Sequence, residues 1–419
     1  MKQDAMCWYK GAMDELRDLW GRCRTTVLFL AVAVMSLVSV IWLSYQFWRL
    51  LWGDAPIWPT SPTGAVDLRV LHALERRWFT GEPVYFGKSG GLYPPASYLI
   101  LWPLLGWLPV TPARWIWAAS SLLALGLLVW LTLLETGADR TEEQVFLALI
   151  PLAMYSTGAT IGNGQLTVHV LTVLVIGLLR IARRRDSRRA DLLGTLMLVF
   201  ALVKPSVSVP LLWVVLSVPR AVCSLLLVAA AHGGLSLYAA SFQRSGLVTL
   251  TRRWLQYSAT RAAGSGQLNL HAWLHSLGLG QQILLGSLLV LVVLGLWTYR
   301  HRAVDTWLLM GVTALGARVW TYHAWYDDLL ILLPMIALFR VAKRGPAADG
   351  SDVIAGALLA LTLVTTLAPG GLYLLPPPWK GLYLAAQLAV WLAVLVFLLD
   401  RARRERTTLM NAMDRPLGT

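Results

Sequence analysis

Apolar runs suited to lipid recur along the whole chain, from Val27 to Leu399, and they restrict the fold more than any single motif does. A bilayer core about 30 Å thick asks for roughly 20 helical residues per crossing, with backbone polar groups satisfied inside the segment. Only 14% of the 419 residues are charged and 57% are hydrophobic, where soluble proteins carry roughly a quarter charged. That distribution excludes a soluble enzyme with one anchor. The chain reads as an all-α polytopic membrane protein, a single integral membrane domain over 1–419. Cys7, Cys23 and Cys223 are too few and too scattered for a disulfide framework or a zinc site. The net charge of +14 does not point to nucleic acid, because most basic residues sit in short loops between apolar runs.

About twelve transmembrane helices are predicted, at 27–50, 115–134, 144–160, 166–182, 191–203, 206–218, 221–241, 282–299, 306–319, 326–341, 353–367 and 382–399. Several are short, so their polar ends are expected to continue inside the bundle. The stretch 180–189 holds six arginines in ten residues and marks a cytoplasmic loop. Counting outward from it places both the N-terminal segment 1–26 and the tail 400–419 in the cytoplasm. The inner segments then collect 23 of the 36 basic residues. Residues 1–26 mix acids, bases and Trp with no small-residue cleavage site after them, which argues against a cleavable signal peptide. The parity requires that 96–108, broken by Pro103, does not cross; it is expected to be a juxtamembrane or re-entrant helix on the outer face. The two long outer loops are 52–114 and 242–281, and no internal repeat is visible.

A charge at membrane depth is costly, so each one needs a reason. Asp67, Tyr93-Pro94-Pro95, Asn163-Gly164-Gln165, Lys204-Pro205, Asn269, His271, Arg318 and His323 to Asp328 all map to outer loops or outer span ends. Polar groups gathered on one side fit a one-sided site. A lipid or polymer transporter, the rival from another class, calls for mid-span charges and internal repeats, and neither is found. Apolar residues at 66, 70, 71, 74 and 78 keep helical spacing and predict an amphipathic helix in the headgroup plane. Asp67 stands in its first turn, where the helix dipole favours a carboxylate, so a helix-end charge and a reactive group both fit. Lys204, bounded by apolar residues, either snorkels or binds an anion. Asp327 and Asp328 open a span, and a capping role is predicted for at least one of them. No metal-ligand pattern and no Gly-rich phosphate loop is legible.

Asp67, then Gly81-Glu82-Pro83-Val84-Tyr85, Tyr93-Pro94-Pro95 and Pro103-Leu104-Leu105-Gly106-Trp107-Leu108-Pro109, resembles the first outer loop of glycosyltransferase family 87. These are GT-C membrane mannosyltransferases and related enzymes that use polyprenyl-phosphate sugars. Gly164-Gln165 opening a span, Lys204-Pro205 after the basic loop, and Tyr322-His323 followed by Tyr326-Asp327 are similar to that family too. The likeness runs in order from about residue 60 to 340. Two departures stand out: Leu166-Thr167 follow Gly-Gln where the family often has Asn, and nothing matches beyond that span.

The resemblance implies a GT-C-type helical bundle in the plasma (inner) membrane, with its active site on the outer, periplasmic face. It implies inverting transfer of a hexose, mannose, from a polyprenyl-phosphate donor to a lipid-linked or envelope glycan. A pentose donor such as arabinofuranose is the alternative on the same fold. Asp67 falls on the family's general base, with Asp54 as local rival. Lys204, Arg318 and His323 would hold the donor phosphate. Tyr93, Asn163, Gln165, Asn269, Tyr326 and Asp327 would face the sugar or acceptor, although Asn163 and Gln165 could equally satisfy loop backbone. In the second long loop Gln267, Asn269 and His271 lie beside Trp254 and Trp273; Trp faces stack on sugar rings, yet most of the 21 Trp are expected as interface anchors. No cofactor and no metal is expected. The expected partners are the lipid-linked sugar, the glycan acceptor and membrane lipids, with no nucleic acid.

Overall fold

The computed structural model describes residues 2–53, 63–87, 90–183, 188–218, 221–263, 269–321, 323–344, 347 and 349–413. Asp54, Gln267, Tyr322 and much of the arginine cluster lie outside the described residues. Within them the regular elements are all helical. The order begins with α1 (Lys2–Trp52), α2 (Val66–Phe79), α3 (Pro95–Leu105) and α4 (Val110–Thr136). Next come α5 (Thr141–Ala153), α6 (Tyr155–Asn163), α7 (Thr167–Arg183), α8 (Arg188–Ala201) and α9 (Pro205–Leu212). The chain continues through α10 (Val222–Ala240), α11 (Leu247–Ala263), α12 (Leu270–Ser276), α13 (Ile283–Arg300) and α14 (Thr306–Trp320). A 3-10 turn, Trp325–Ile331, leads into α15 (Leu332–Lys343), followed by α16 (Ser351–Thr366), α17 (Gly371–Leu374) and α18 (Trp379–Met413).

Among the described residues five stretches are long and apolar enough to cross a bilayer: Gly21–Trp52, Val110–Thr136, Val222–Ala240, Gly280–Arg300 and Trp379–Asn411. They present wide apolar surfaces outward, with Phe29, Val40, Leu123, Leu226, Leu285 and Val396 all largely exposed. The opposite holds for α6, every residue of which is buried, and for Leu332–Leu338 of α15. Short helices are tolerable there because protein neighbours, unlike lipid, can satisfy the free backbone groups at their ends. The chain is a helical membrane protein in which long lipid-facing helices surround short buried ones.

The helix lengths do not carry the expected count of twelve crossings. Besides the five, α6 and α7 form a pair bent by 116°, and α3, Pro205–Ser217 and α16 are shorter apolar helices. The predicted span 144–160 is interrupted at Met154, whose extended backbone (φ −67, ψ 133) follows Pro151. The opening is filled by Ala368, whose N–H bonds Ala153 O at 2.8 Å, and by Thr157, which donates to Pro151 O at 2.6 Å. As for α3, its 11 residues extend about 16 Å, half the hydrocarbon thickness.

The length of α4 measures the distance between two polar ends. Arg114, near its start, donates to Leu50 O at 2.5 Å. Near its end, buried Glu135 pairs with Arg183 and accepts from Trp307 Nε1 at 3.0 Å. The helix between Arg114 and Glu135 rises about 32 Å at 1.5 Å per residue, close to one bilayer core. At the Glu135 end, ion pairs tie α1, α5, α14, α15 and α18 together. They include Arg24 with Glu143, Arg340 and Arg344 with Asp305 (both 2.8 Å), and Arg344 with Glu405 (3.0 Å).

Glu135→Ala would leave the buried Trp307 N–H without an acceptor, at about 1–3 kcal/mol. The purified variant is expected to melt at lower temperature. Arg183→Ala should lower the melt as well, because the Glu135 side chain is 1% exposed and a buried charge without its partner is destabilising. An unchanged melt in either variant would show that Glu135 does not hold the corresponding partner.

Candidate active site

Asp67 is seated by a close approach of three backbones. Gly64 N–H bonds Gly53 O at 2.6 Å just past α1, and a Cβ on Gly64 would stand 1.7 Å from Arg49 O. Ala65, in the left-handed region at φ +56, donates its N–H to Gly162 O at 2.8 Å. The start of α2 is thereby bonded to the ends of α1 and α6. Helix α6 ends on Gly164 at φ +69, the usual residue for that conformation. A Cβ there would meet Leu68 Cβ at 2.5 Å. The bend between α6 and α7 and the first turn of α2 are therefore packed against each other, and Gln165 comes to lie beside Asp67.

Lys204 enters the same space from the break between α8 and α9, where Pro205 takes the first helical position. Its Nζ donates to Asp327 Oδ1 at 2.5 Å, Thr167 Oγ1 at 2.8 Å and Gln165 Oε1 at 3.3 Å. Three acceptors fill the donor capacity of an ammonium. The ammonium also lies 4.8 Å from the centre of the Tyr326 ring. Snorkelling is thus ruled out: Lys204 is buried and turned inward.

Asp327 is the shared acceptor. Its Oδ1 also takes a hydrogen bond from Thr167 Oγ1 at 2.6 Å. His323 Nδ1 stands 3.2 Å from Oδ2, off the alignment of a hydrogen bond, and Nε2 of this fully buried ring has no partner among the described residues. Asp67 is half-buried and lies beside the Gln165 amide, whose oxygen also serves Lys204. Burial pushes the Asp67 carboxyl above the usual aspartate range. The Gln165 amide and the charges of Lys204 and Arg49 pull it down without cancelling the rise.

Arg318 goes elsewhere. It pairs with Asp328, lies over the Trp391 ring at 5.1 Å and is buried. Asp328 also accepts from the Tyr155 hydroxyl, which in turn accepts from Gln387 Nε2 at 3.1 Å. The expected capping role fails for both carboxylates: neither caps a helix end, and each is held by a buried cation from another element. Tyr326 gives its carbonyl to Thr160 Oγ1 at 3.0 Å, and Tyr93 reaches Gln165 Oε1 at 3.5 Å.

Asn163 accepts from Arg49 Nη2 at 3.1 Å, with Arg49 Nη1 on Gln46 at 2.8 Å. Asn269 caps α12 by accepting from Ala272 N–H at 2.9 Å. The ring of His271 in that helix bonds Thr321 Oγ1 at 3.2 Å, which brings the second loop over the approach to His323. Arg49, Thr167 and Gln46 were not singled out by sequence; an arginine closing an apolar span was the available signal for the first. Glu75 was also missed. It is fully buried in α2 without a hydrogen-bond partner, and burial pushes its carboxyl well up.

Among the described residues no three His, Cys, Asp or Glu side chains gather as a metal-ligand set. What the geometry offers is a half-buried carboxylate one carboxamide away from a buried ammonium, at the end of a helical membrane bundle. The sequence model of glycosyltransferase family 87 matches residues 92–321, more than half of the chain. The chain belongs to glycosyltransferase family 87. Its substrates are accordingly a sugar donor and a glycan acceptor. The match takes in Tyr93, Asn163, Gln165, Lys204, Asn269 and Arg318, and ends on either side before Asp67 and before His323. No curated protein and no solved structure matches the chain.

Lys204→Ala would strand Asp327 as a buried charge, at about 3–5 kcal/mol. A much smaller loss is expected for the double change Lys204→Met with Asp327→Asn, which removes both charges. Thermal unfolding of the two purified variants checks this, and equal destabilisation would show that the pair is not coupled.

Proposed function

We propose that the chain transfers mannose from a polyprenyl-phosphate donor to a lipid-linked or envelope glycan, on the outer face of the plasma membrane. The observation that carries this reading is the packing of the Gly164–Gln165 bend on the first turn of α2, which sets Asp67 beside the carboxamide that holds Lys204. Asp67 takes the proton of the acceptor hydroxyl as that oxygen attacks the anomeric carbon. The bond from that carbon to the phosphate oxygen breaks, the electron pair leaves with the lipid phosphate, and the configuration inverts. The growing phosphate charge is met by Nε2 of His323 as a donor and by the charge of Lys204, whose three protons stay on Asp327, Thr167 and Gln165. Arg318, committed to Asp328, acts by holding the Trp325–Ile331 turn in place. Tyr93, Asn163 and Tyr326 border the space for sugar and acceptor.

Asp67→Asn keeps shape and hydrogen bonding while removing the base, so turnover should fall on the order of a hundredfold or more. Donor binding should persist. Near-normal turnover, with Asp54→Asn inactive instead, moves the base to Asp54.

The pH profile gives a second check. Transfer needs ionised Asp67, so kcat/KM should rise with pH through the Asp67 pKa. Because burial raises that pKa, the acidic limb should lie above the ordinary aspartate value of about 3.9. A limb at or below that value would remove Asp67 from the role.

A further inference from the structure

Between Asp191 and Asp305 the sequence contains no Asp or Glu, yet it carries Lys204 and seven arginines. Four of these, Arg244, Arg252, Arg253 and Arg261, lie in and beside α11. All four are exposed, and none forms an ion pair among the described residues. Among the described residues, Arg253 Nη1 donates a hydrogen bond to Ser245 Oγ at 3.3 Å.

The placement of α11 is equally specific. In sequence it lies between α10 and the stretch Gly280–Arg300, two helices long and apolar enough to cross the bilayer, so the connection it belongs to starts and ends where those helices would leave the lipid. One stripe of the helix faces protein. Leu250 is buried, Trp254 Nε1 donates to Leu92 O at 3.0 Å, and Tyr257 donates to Gly87 O at 2.8 Å. These positions repeat every three or four residues. The residues two places earlier in each case, Val248, Arg252 and Leu255, fall about 200° around the helix, on the opposite side. Val248 is 83% exposed and Leu255 is exposed too. Exposed apolar side chains alternating with unpaired arginine at headgroup level form a surface suited to lying on lipid. Among the described residues no carboxylate pairs with these arginines, which leaves them open to an anionic surface outside the chain.

We propose that α11 docks on the anionic headgroups of the surrounding leaflet, with Arg252 and Arg253 on lipid phosphates and Val248 and Leu255 among the upper acyl carbons. The occupant is bulk anionic lipid rather than either substrate. Through Trp254 and Tyr257 the docked helix braces Gly87 and Leu92, just ahead of Tyr93 and the site.

The test uses the full chain in nanodiscs, with Cys7, Cys23 and Cys223 changed to serine and a fluorophore on Thr249→Cys in α11. Brominated phosphatidylglycerol or brominated phosphatidylcholine is mixed in at equal content, and quenching reports which lipid gathers at the helix. A preference of about fivefold for phosphatidylglycerol is expected, the effect of roughly one basic residue at an anionic surface. Arg252→Gln with Arg253→Gln should bring the ratio close to one. Raising salt from 0.1 to 1 M should do the same without any substitution, because exposed charges are screened. Equal quenching by the two lipids in the unaltered arginine background would overturn the proposal, as would a preference that survives both the substitutions and the salt. Displacement of the brominated phosphatidylglycerol by one equivalent of polyprenyl phosphate would assign the surface to the donor and overturn it as well.

Discussion

The Lys204 ammonium is the contact on which the site depends. Asp327, Thr167 and Gln165 come to it from the turn before α15, the start of α7 and the bend after α6. Each of those segments is an irregular stretch of backbone inside a membrane protein, tolerable only where protein surrounds it. A buried charge without its partner is strongly destabilising, so the four segments hold one another in register. Because Gln165 also lies beside Asp67, the same contact fixes the carboxylate proposed as base.

The charges around Lys204 nearly cancel. Lys204 faces Asp327, Arg318 faces Asp328, and Arg49 lies near Asp67. A neutral cluster is easier to bury than a cationic one. On the proposed mechanism the balance changes during reaction. When Asp67 takes up a proton it loses its charge, and the cluster becomes net positive as the phosphate gains negative charge. Proton transfer thereby strengthens the field at the leaving group when the bond breaks, which is where catalysis benefits most.

Much of the fold was legible because hydropathy reports which helices meet lipid. The stretches 27–50, 115–134, 221–241, 282–299 and 382–399 each fall on one of the five long apolar helices. The interior was less legible. Burial by protein, not lipid, relaxes the length requirement, so the break at Met154 and the 116° bend at Gly164 leave little trace in composition. Pairing was hidden for a related reason. Asp327 and Asp328 are neighbours in sequence, but successive residues of a 3-10 turn point about 120° apart. One carboxylate therefore meets Lys204 and the other Arg318, which separates two cations that the family resemblance assigned to one phosphate.

The two ends of α4 show how polar groups divide between anchoring and reaction. At the Glu135 end, ion pairs are numerous and several members are exposed, among them Arg183, Arg344 and Arg404. Such pairs contribute little individually and are screened by salt, but a network of them suits a solvated boundary. At the Asp67 end the pairs are few, buried and joined through Thr167, Gln165 and Tyr155. There a misplaced hydrogen bond is costly, because water is not at hand to replace it. Rigidity of that kind is what the proposed roles of Asp67 and Lys204 need, since their separation must hold while the substrates change charge. The chain thus places its inexpensive electrostatics at one membrane face and its exacting electrostatics at the other.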